Sequence, residues 1–332
     1  MRLVVLFAVV MSVVTVEAQT RRRPTLPAKP LPAECTRAQL DEGFILDVEL
    51  DDEFLYYGDD FGFVYRLRKS GGTPEELGRL IPEQIAGLIV SDATTLYVMS
   101  FNETGEIGAV WSLPKTGGVP VQLASAIVNP FDFHIDSTFL YWVSLGSVSP
   151  DDEFRADGKI EKIAKNGSGR TALASNLNTP TSVFSDGTNV YFTEAGLSPA
   201  SRSSGLRRVS RNGGAVTALR DGEAVVNVMV NGNDLYFSSL NFFDGNIQRM
   251  PKSGGAPVTL AIGLQFIARM IVAGDQLYFF NTGDDDTIRK MPLAGGTPTV
   301  VQDGIFLTTE FALDECAVYF VDGDLFVRRS PR

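Results

Sequence analysis

Short apolar runs of four to eight residues follow one another along almost the whole chain. Residues 225–262 show the pattern, because Val225 to Val230, Leu235 to Ser238, Asn246 to Met250 and Pro257 to Ala261 are rich in β-branched and aromatic residues. Gly, Asn and Asp separate the runs, as they do at tight turns. No helical periodicity of 3.6 residues appears after residue 18. The pattern therefore predicts an all-β chain made of four-stranded antiparallel units.

An apolar residue followed by tyrosine recurs seven times, in the second run of each unit. Successive tyrosines are 41 to 50 residues apart, and they are Tyr56, Tyr97, Tyr141, Tyr191, Tyr236, Tyr278 and Tyr319. A repeat of this length, continued to the end of the chain, is typical of a radial array in which each unit packs against its neighbours. We therefore expect residues 35–332 to form a single seven-bladed β-propeller with four-stranded antiparallel blades.

The two ends of the repeat are out of phase. The last unit contains three runs and lacks a fourth, whereas Thr36 to Gly43 stand before the first full unit and match the fourth run at Ala215 to Gly222. An N-terminal strand should therefore complete the seventh blade and close the ring, which leaves no open edge between the first and last units.

The two cysteines, Cys35 and Cys316, flank this closure. Cys35 precedes the closing strand, and Cys316 lies in a turn of the same blade. An even number of cysteines in an exported chain favours a disulfide between them. Two buried free thiols are the alternative.

The N-terminus has the pattern of a Sec-type signal peptide. Arg2 is followed by an apolar stretch from Leu3 to Val16, and cleavage is expected near Ala18. This stretch is shorter than the roughly 20 residues that span a bilayer. We interpret residues 1–18 as the signal peptide and residues 19–34, rich in Pro and Arg, as a flexible leader. The protein should be secreted or periplasmic, with no membrane insertion.

The formal net charge of −11 argues against binding to nucleic acid, which requires clustered Lys and Arg. Negative charge is also common on exported proteins that stay soluble. We expect a monomer.

The tyrosine runs resemble a known family of repeats. Leu140-Tyr141-Trp142-Val143 and Val190-Tyr191-Phe192-Thr193 are similar to the YWTD repeats of LDL-receptor-type propellers, and the resemblance covers nearly all of the chain after the leader. That family usually has six blades, and no copy here preserves the full tetrapeptide. The resemblance implies a non-enzymatic binding or scaffold module for an extracellular or periplasmic ligand, with structural tyrosines packed between blades.

A catalytic function has little support in the residue types. His134 is the only histidine, and no Gly-x-Ser-x-Gly turn occurs. A lone histidine on an innermost strand is more often packed or hydrogen-bonded than catalytic. The alternative hypothesis is a propeller enzyme of the lyase or lactonase type that uses channel carboxylates on a small substrate. A third is an assembly component of a cell envelope complex.

One column of polar residues marks a candidate binding site. Six of the seven innermost runs carry a polar residue nine positions before the tyrosine, and the second unit aligns Gly87 with them; the six are Asp47, Asp132, Ser182, Asn227, Arg269 and Glu310. They should form a ring at one mouth of the central channel. We predict that Asp47, Asp132, Asn227, Arg269 and Glu310 bind the ligand.

The oxygen atoms of that ring also suggest a Ca²⁺ site, with Arg269 as a counter-charge. A hydrated channel wall without a specific ligand is the alternative. No cofactor should be required. The long loops of the third and fourth units, residues 145–158 and 195–205, should open on the same face and contribute to binding. The expected partner is a protein, a small molecule or a glycan.

Overall fold

The computed structural model describes residues 38–42, 45–81, 84–149, 153–198, 203–239, 245–282, 286–305, 310–321 and 326–332. The predicted signal peptide, the leader and Cys35 lie outside these residues. Within them the regular elements are all β-strands, and they form seven four-stranded antiparallel sheets. The sequence-based prediction of an all-β, seven-bladed propeller is confirmed. No helix in the described ranges is long and apolar enough to cross a membrane.

Each sheet is one blade, numbered here from the first full unit. The strands are β1 (Ala38–Glu42); blade 1, β2 (Val48–Leu50), β3 (Phe54–Gly58), β4 (Phe63–Arg68), β5 (Glu75–Arg79); blade 2, β6 (Gln84–Ser91), β7 (Thr95–Asn102), β8 (Ile107–Pro114), β9 (Val121–Val128); blade 3, β10 (Pro130–Ile135), β11 (Phe139–Ser144), β12 (Gly158–Ala164), β13 (Thr171–Leu177); blade 4, β14 (Pro180–Ser185), β15 (Asn189–Glu194), β16 (Gly205–Ser210), β17 (Thr217–Asp221); blade 5, β18 (Val225–Asn231), β19 (Asp234–Ser239), β20 (Gly245–Pro251), β21 (Val258–Leu264); blade 6, β22 (Phe266–Ala273), β23 (Gln276–Thr282), β24 (Thr287–Pro292), β25 (Thr299–Gln302); and blade 7, β26 (Phe311–Leu313), β27 (Ala317–Val321), β28 (Phe326–Pro331).

The N-terminal strand closes the ring, as the phase of the repeat predicts. β1 pairs antiparallel with β28, with Ala38 opposite Arg329 and Glu42 opposite Phe326, so that blade 7 has the order β1, β28, β27, β26. Diglycines join the third and fourth strands of most blades. Gly254 and Gly255 have φ angles of +94° and +131°, which residues with a side chain rarely adopt. The diglycine is therefore a turn element.

The core is divided among the blade junctions. Seven clusters of buried apolar residues each combine side chains of two neighbouring blades, and each contains one of the repeated tyrosines. Tyr141, for example, is fully buried in a cluster with Leu173 of its own blade and Val183 of blade 4. The tyrosines thus pack between blades, and burial of these aromatic faces holds the ring together.

A second feature links five of the junctions and recurs with the tyrosines. An aspartate five residues before the tyrosine accepts a hydrogen bond from that tyrosine's hydroxyl at 2.6–3.2 Å. A Lys or Arg of the following blade lies 2.9–3.7 Å from the same carboxylate. We call these the Asp–Tyr links, and their aspartates are Asp51, Asp92, Asp136, Asp186 and Asp314.

The carboxylates of the links are stabilised in their charged form. Burial alone would raise their pKa values, but hydrogen bonds from tyrosine, from backbone amides and from the facing cation lower them below the ordinary value of 3.8. At the junction of blades 5 and 6, Asn231 replaces the aspartate and Leu293 replaces the cation. Leu293 packs there against the apolar cluster that contains Tyr236.

Candidate functional site

The innermost strands of the blades, β2, β6, β10, β14, β18, β22 and β26, surround a central cavity of about 870 Å³. Much of its wall is apolar, and Leu46, Leu88, Val90, Phe184, Val226 and Ile271 are among the lining residues. A few charged side chains stand in this wall. An apolar cavity of this size with a small number of polar groups is typical of small-molecule binding sites.

Two aspartates of the predicted column join adjacent blades. Asp47 accepts hydrogen bonds from the backbone amides of Val48 at 2.7 Å and of Ile89, in blade 2, at 2.8 Å. Asp132 repeats the arrangement, since its oxygens accept from Phe133 and from Val183 of blade 4, both at 2.8 Å. Both carboxylates are therefore bonded through both oxygens.

The other column residues also reach the next blade. The Ser182 hydroxyl accepts from the Val228 amide at 3.3 Å, and the Asn227 side-chain amide donates to the Ala268 carbonyl at 2.8 Å. Arg269 Nη1 lies 2.7 Å from Glu310 Oε2 in blade 7. The column therefore links innermost strands to one another, a role that the sequence alone did not reveal.

The structure brings most of the predicted site residues to the cavity. Asp132, Asn227, Arg269 and Glu310 line it, whereas Asp47 is only 3% exposed. In blade 2 the residue nine positions before Tyr97 is Leu88, not Gly87, and the strand register agrees, because Leu88 pairs with Met99 as Asn227 pairs with Ser238. That a ligand binds to the predicted site residues stays a prediction.

Arg269 is the positive centre of this group. Burial alone would lower its pKa, but the carboxylates of Glu310, Asp47, Asp132 and Glu49 raise it, so the guanidinium stays charged. Burial raises the pKa of Glu310 above its ordinary value, against the lowering effect of Arg269. Burial thus favours the neutral form of Glu310, and the charge of Arg269 favours its ionised form.

Glu49 is a cavity residue that the sequence-based prediction missed. It stands on β2 opposite Tyr56, two positions after the column residue Asp47, and lines the cavity. Its Oε1 accepts a hydrogen bond from the Ser91 hydroxyl at 2.8 Å. Burial raises the pKa of Glu49 to about 7, although the Ser91 hydrogen bond lowers it. The equivalent residues in the other blades are mostly apolar, so no column pattern marked this position.

His134 occupies the matching position on β10, and its surroundings are aromatic. Its ring lies 4.2 Å from that of Phe184 and 6.3 Å from that of Tyr141, measured between centroids. Burial lowers its pKa below the ordinary 6.5, although the charge of Asp132 raises it. The described residues contain no group of three or more His, Cys, Asp or Glu arranged to hold a metal ion.

Hydrogen bonds anchor the two long loops of blades 3 and 4. In the loop between β11 and β12, Ser147 donates through its amide and its hydroxyl to Asp157, at 2.7 and 2.6 Å, and Val148 pairs with Phe154. In the loop between β15 and β16, the Ser198 amide donates to Asn178 Oδ1 at 2.8 Å. The loop residues 150–152 and 199–202 lie outside the described ranges.

A buried ion pair of blade 4 supports the loop between β15 and β16. Arg207 Nε lies 2.9 Å from Glu194 Oε2, and the side chains are 8% and 3% exposed. Ser203, in the loop, donates to the same glutamate oxygen at 2.9 Å. The described end of this loop at Ser203 is therefore held to blade 4.

No protein-family model matches the chain, and no curated protein does. Solved structures match its fold. The computationally designed Ika8 protein is 13% identical with a TM-score of 0.57, covering 89% of this chain and 98% of its own. A chain of the nidogen/laminin complex is 17% identical with a TM-score of 0.51, covering 73% and 89%. The tricorn protease is 11% identical with a TM-score of 0.63, covering 92% of this chain and 34% of its own. At these identities the likeness shows a shared β-propeller fold.

Proposed function

We propose that the protein is an exported, non-enzymatic recognition propeller whose ligand enters the central cavity. The observation that carries this proposal is the cavity of about 870 Å³, lined by strands of all seven blades and mainly apolar, with a few convergent charged side chains. A rigid ring holds those side chains in place, which reduces the entropy that a ligand would otherwise have to overcome.

The contacts of the candidate catalytic groups favour binding over catalysis. Ser182 accepts a backbone hydrogen bond, Asp132 is bonded through both oxygens, and the His134 ring packs against that of Phe184. A nucleophile needs an adjacent base that is itself oriented by a third group. These side chains are engaged in holding blades together instead.

The test is a thermal-shift screen of small molecules against the protein without its predicted signal peptide. Ala312 lines the cavity, so Ala312→Trp should obstruct it, whereas Val300→Trp changes an outer strand residue that is 52% exposed. We expect hits that raise the Tm of the wild type and of Val300→Trp but leave that of Ala312→Trp unchanged. Ile271→Trp is a second obstruction in case the first variant does not fold. A screen without hits, or hits that both obstructed variants retain, would disprove the proposal.

The enzyme hypothesis is tested on the same preparation. Lactones and glycans are incubated with the wild type and with His134→Gln and Glu310→Gln. Turnover by the wild type that either substitution abolishes would replace the binding function with catalysis.

A further inference from the structure

The charged groups around the cavity are unequal in number. Among the described residues, the carboxyl groups of Asp47, Glu49, Asp132 and Glu310 surround the single guanidinium of Arg269. His134 adds no fixed positive charge, because burial lowers its pKa. A further positive charge next to these carboxyl groups would therefore stabilise their ionised forms.

Three of the four carboxyl groups are already engaged by the protein. Asp47 and Asp132 each accept two backbone hydrogen bonds, and Glu310 is paired with Arg269 at 2.7 Å. A ligand that competed for these groups would have to break contacts between blades.

Glu49 differs from the other three. Its Oε1 accepts from Ser91, and within the described ranges no donor reaches its Oε2. The charges that affect its pKa are those of Asp47, Arg269 and Lys115. Lys115 is itself engaged, with its ammonium 3.2 Å from Asp51 Oδ2. Glu49 Oε2 is therefore a hydrogen-bond acceptor in a cavity wall that also includes Leu50 and Val90.

We propose that the central cavity binds an organic cation, a ligand with an apolar body and one protonated amine, and that Glu49 is its counter-ion. This inference rests on the proposed binding function and names the class of ligand. The apolar wall would cover the body, and the amine would donate a hydrogen bond to Glu49 Oε2. A charge-assisted hydrogen bond of this kind is stronger than one between neutral groups, more so where water is excluded.

An organic cation fits these residues better than a metal ion does. A hard cation such as Ca²⁺ takes six to eight oxygen ligands. The oxygens of Asp47 and Asp132 already accept hydrogen bonds, and the described residues contain no set of three metal-binding side chains. An amine needs only one free acceptor and an apolar surface beside it.

The test compares three probes that share one body and differ in the head group: phenylbutylamine, phenylbutanol and phenylbutyrate. Calorimetry at pH 8, where Glu49 is ionised, measures each Kd on the full ring. We expect the amine to bind about tenfold or more tightly than the alcohol, because only the amine gains the charged hydrogen bond. The acid should bind most weakly.

Glu49→Gln and Glu76→Gln are the matched variants. Glu76 is an exposed carboxylate on β5, outside the cavity. Glu49→Gln should reduce the affinity for the amine to that for the alcohol and leave the alcohol unchanged, whereas Glu76→Gln should alter neither. Retained binding of the alcohol shows that Glu49→Gln keeps its fold and cavity.

The outcomes separate this inference from the function on which it rests. Equal binding of the three probes, or an amine preference that Glu49→Gln retains, overturns the cation site and leaves the cavity a binding site. Binding of Ca²⁺ alone that Glu49→Gln abolishes also overturns it, in favour of a metal site. Failure of every probe, when the thermal-shift screen yields uncharged cavity ligands, overturns it as well. Failure of the screen itself disproves the proposed function.

Discussion

Asp186 accepts hydrogen bonds from the amides of Thr188 and Asn189, from the Tyr191 hydroxyl and from Lys252 of blade 5. One side chain thus closes the turn of its own blade, orients the tyrosine and holds the next blade. Its carboxylate is 10% exposed, so each of these bonds is largely shielded from water. An Asp–Tyr link should therefore contribute more than a surface ion pair, which is usually worth less than about 1 kcal/mol.

We expect Asp186→Asn to lower the free energy of unfolding by about 1–3 kcal/mol, because Lys252 loses its counter-charge and Tyr191 its acceptor. Urea unfolding followed by tyrosine and tryptophan fluorescence gives the value. Asn231→Ala is the control, since Asn231 occupies the equivalent position in blade 5 and has no cation opposite it. Equal losses in the two variants would contradict a special contribution of the link.

The residues of these links could have been found in the sequence. The aspartates recur five positions before the tyrosine, and the cations directly follow the third strand, but neither pattern states that the two meet across a junction. Glu49 could not have been found in this way. Its neighbours in the same column include Val90, Phe184 and Met229, so recurrence, the signal that identified Asp47 and Asp132, does not mark it.

β1 is the element that turns seven units into a ring. Ala38 pairs with Arg329, and Pro331 pairs with Ala317, which follows Cys316. The start of β1 and the turn that holds Cys316 therefore lie at the same end of blade 7. This placement supports the proposed disulfide between Cys316 and Cys35, three residues before β1.

We expect the unreduced, denatured protein to contain no titratable thiol. The cysteines are 281 residues apart, and closing a loop of that size should stabilise the fold by roughly 5–6 kcal/mol in the chain-entropy model. Thiol titration before and after reduction counts the free thiols. The free energy of unfolding of a variant with both Cys35→Ser and Cys316→Ser, compared with that of the wild type, gives the stabilisation by the disulfide. Two thiols before reduction would rule the disulfide out.

The loop between β11 and β12 is closed at its base by Ser147 and Asp157. Deleting residues 148–154 keeps both partners, so we expect the shortened protein to fold with a similar Tm. If the loop contributes to recognition, cavity ligands found in the screen should bind more weakly, as calorimetry would measure. Unchanged affinity would confine recognition to the cavity.

At the scale of the whole molecule, the sequence was sufficient for the architecture. The spacing of the tyrosines predicts the blades, and the phase at the two ends predicts the strand that completes the seventh. The contacts of the candidate site residues could be predicted only in part, because a column of polar residues can serve a ligand or the neighbouring blade. That choice depends on which atoms face each other, as for Asn227 and the Ala268 carbonyl. Such contacts depend on how the blades are arranged in space.

Two sets of carboxyl groups give stability opposite dependences on pH. The aspartates of the Asp–Tyr links have lowered pKa values. Their contribution to the free energy of unfolding is therefore present above about pH 4 and is lost as the pH falls through their pKa values in the folded protein. Glu49 has a raised pKa of about 7 against an ordinary 4.5, so its contribution is present below 4.5 and is lost as the pH rises through 7. His134, with a lowered pKa, opposes Glu49 below 6.5.

We therefore expect Glu49→Gln to flatten the profile between pH 5 and pH 8, because only the wild type must ionise this carboxyl inside the cavity. Urea midpoints of wild type and variant at both pH values measure the effect, and the other groups cancel in the comparison. Profiles that run parallel would show that Glu49 has an ordinary pKa.

The junction of blades 5 and 6 gives the ring a property that a uniform repeat would lack. Here Leu293 lies against an apolar cluster, whereas five other junctions carry a cation beside an aspartate. Salt and acid weaken the ion pairs at those five junctions, whereas cold weakens the apolar clusters at all seven junctions and salts such as sulfate strengthen them. Salt and acid therefore act on the five junctions with an Asp–Tyr link and spare the junction of blades 5 and 6. In strong salt or acid, the junction of blades 5 and 6 should therefore be among the last to open.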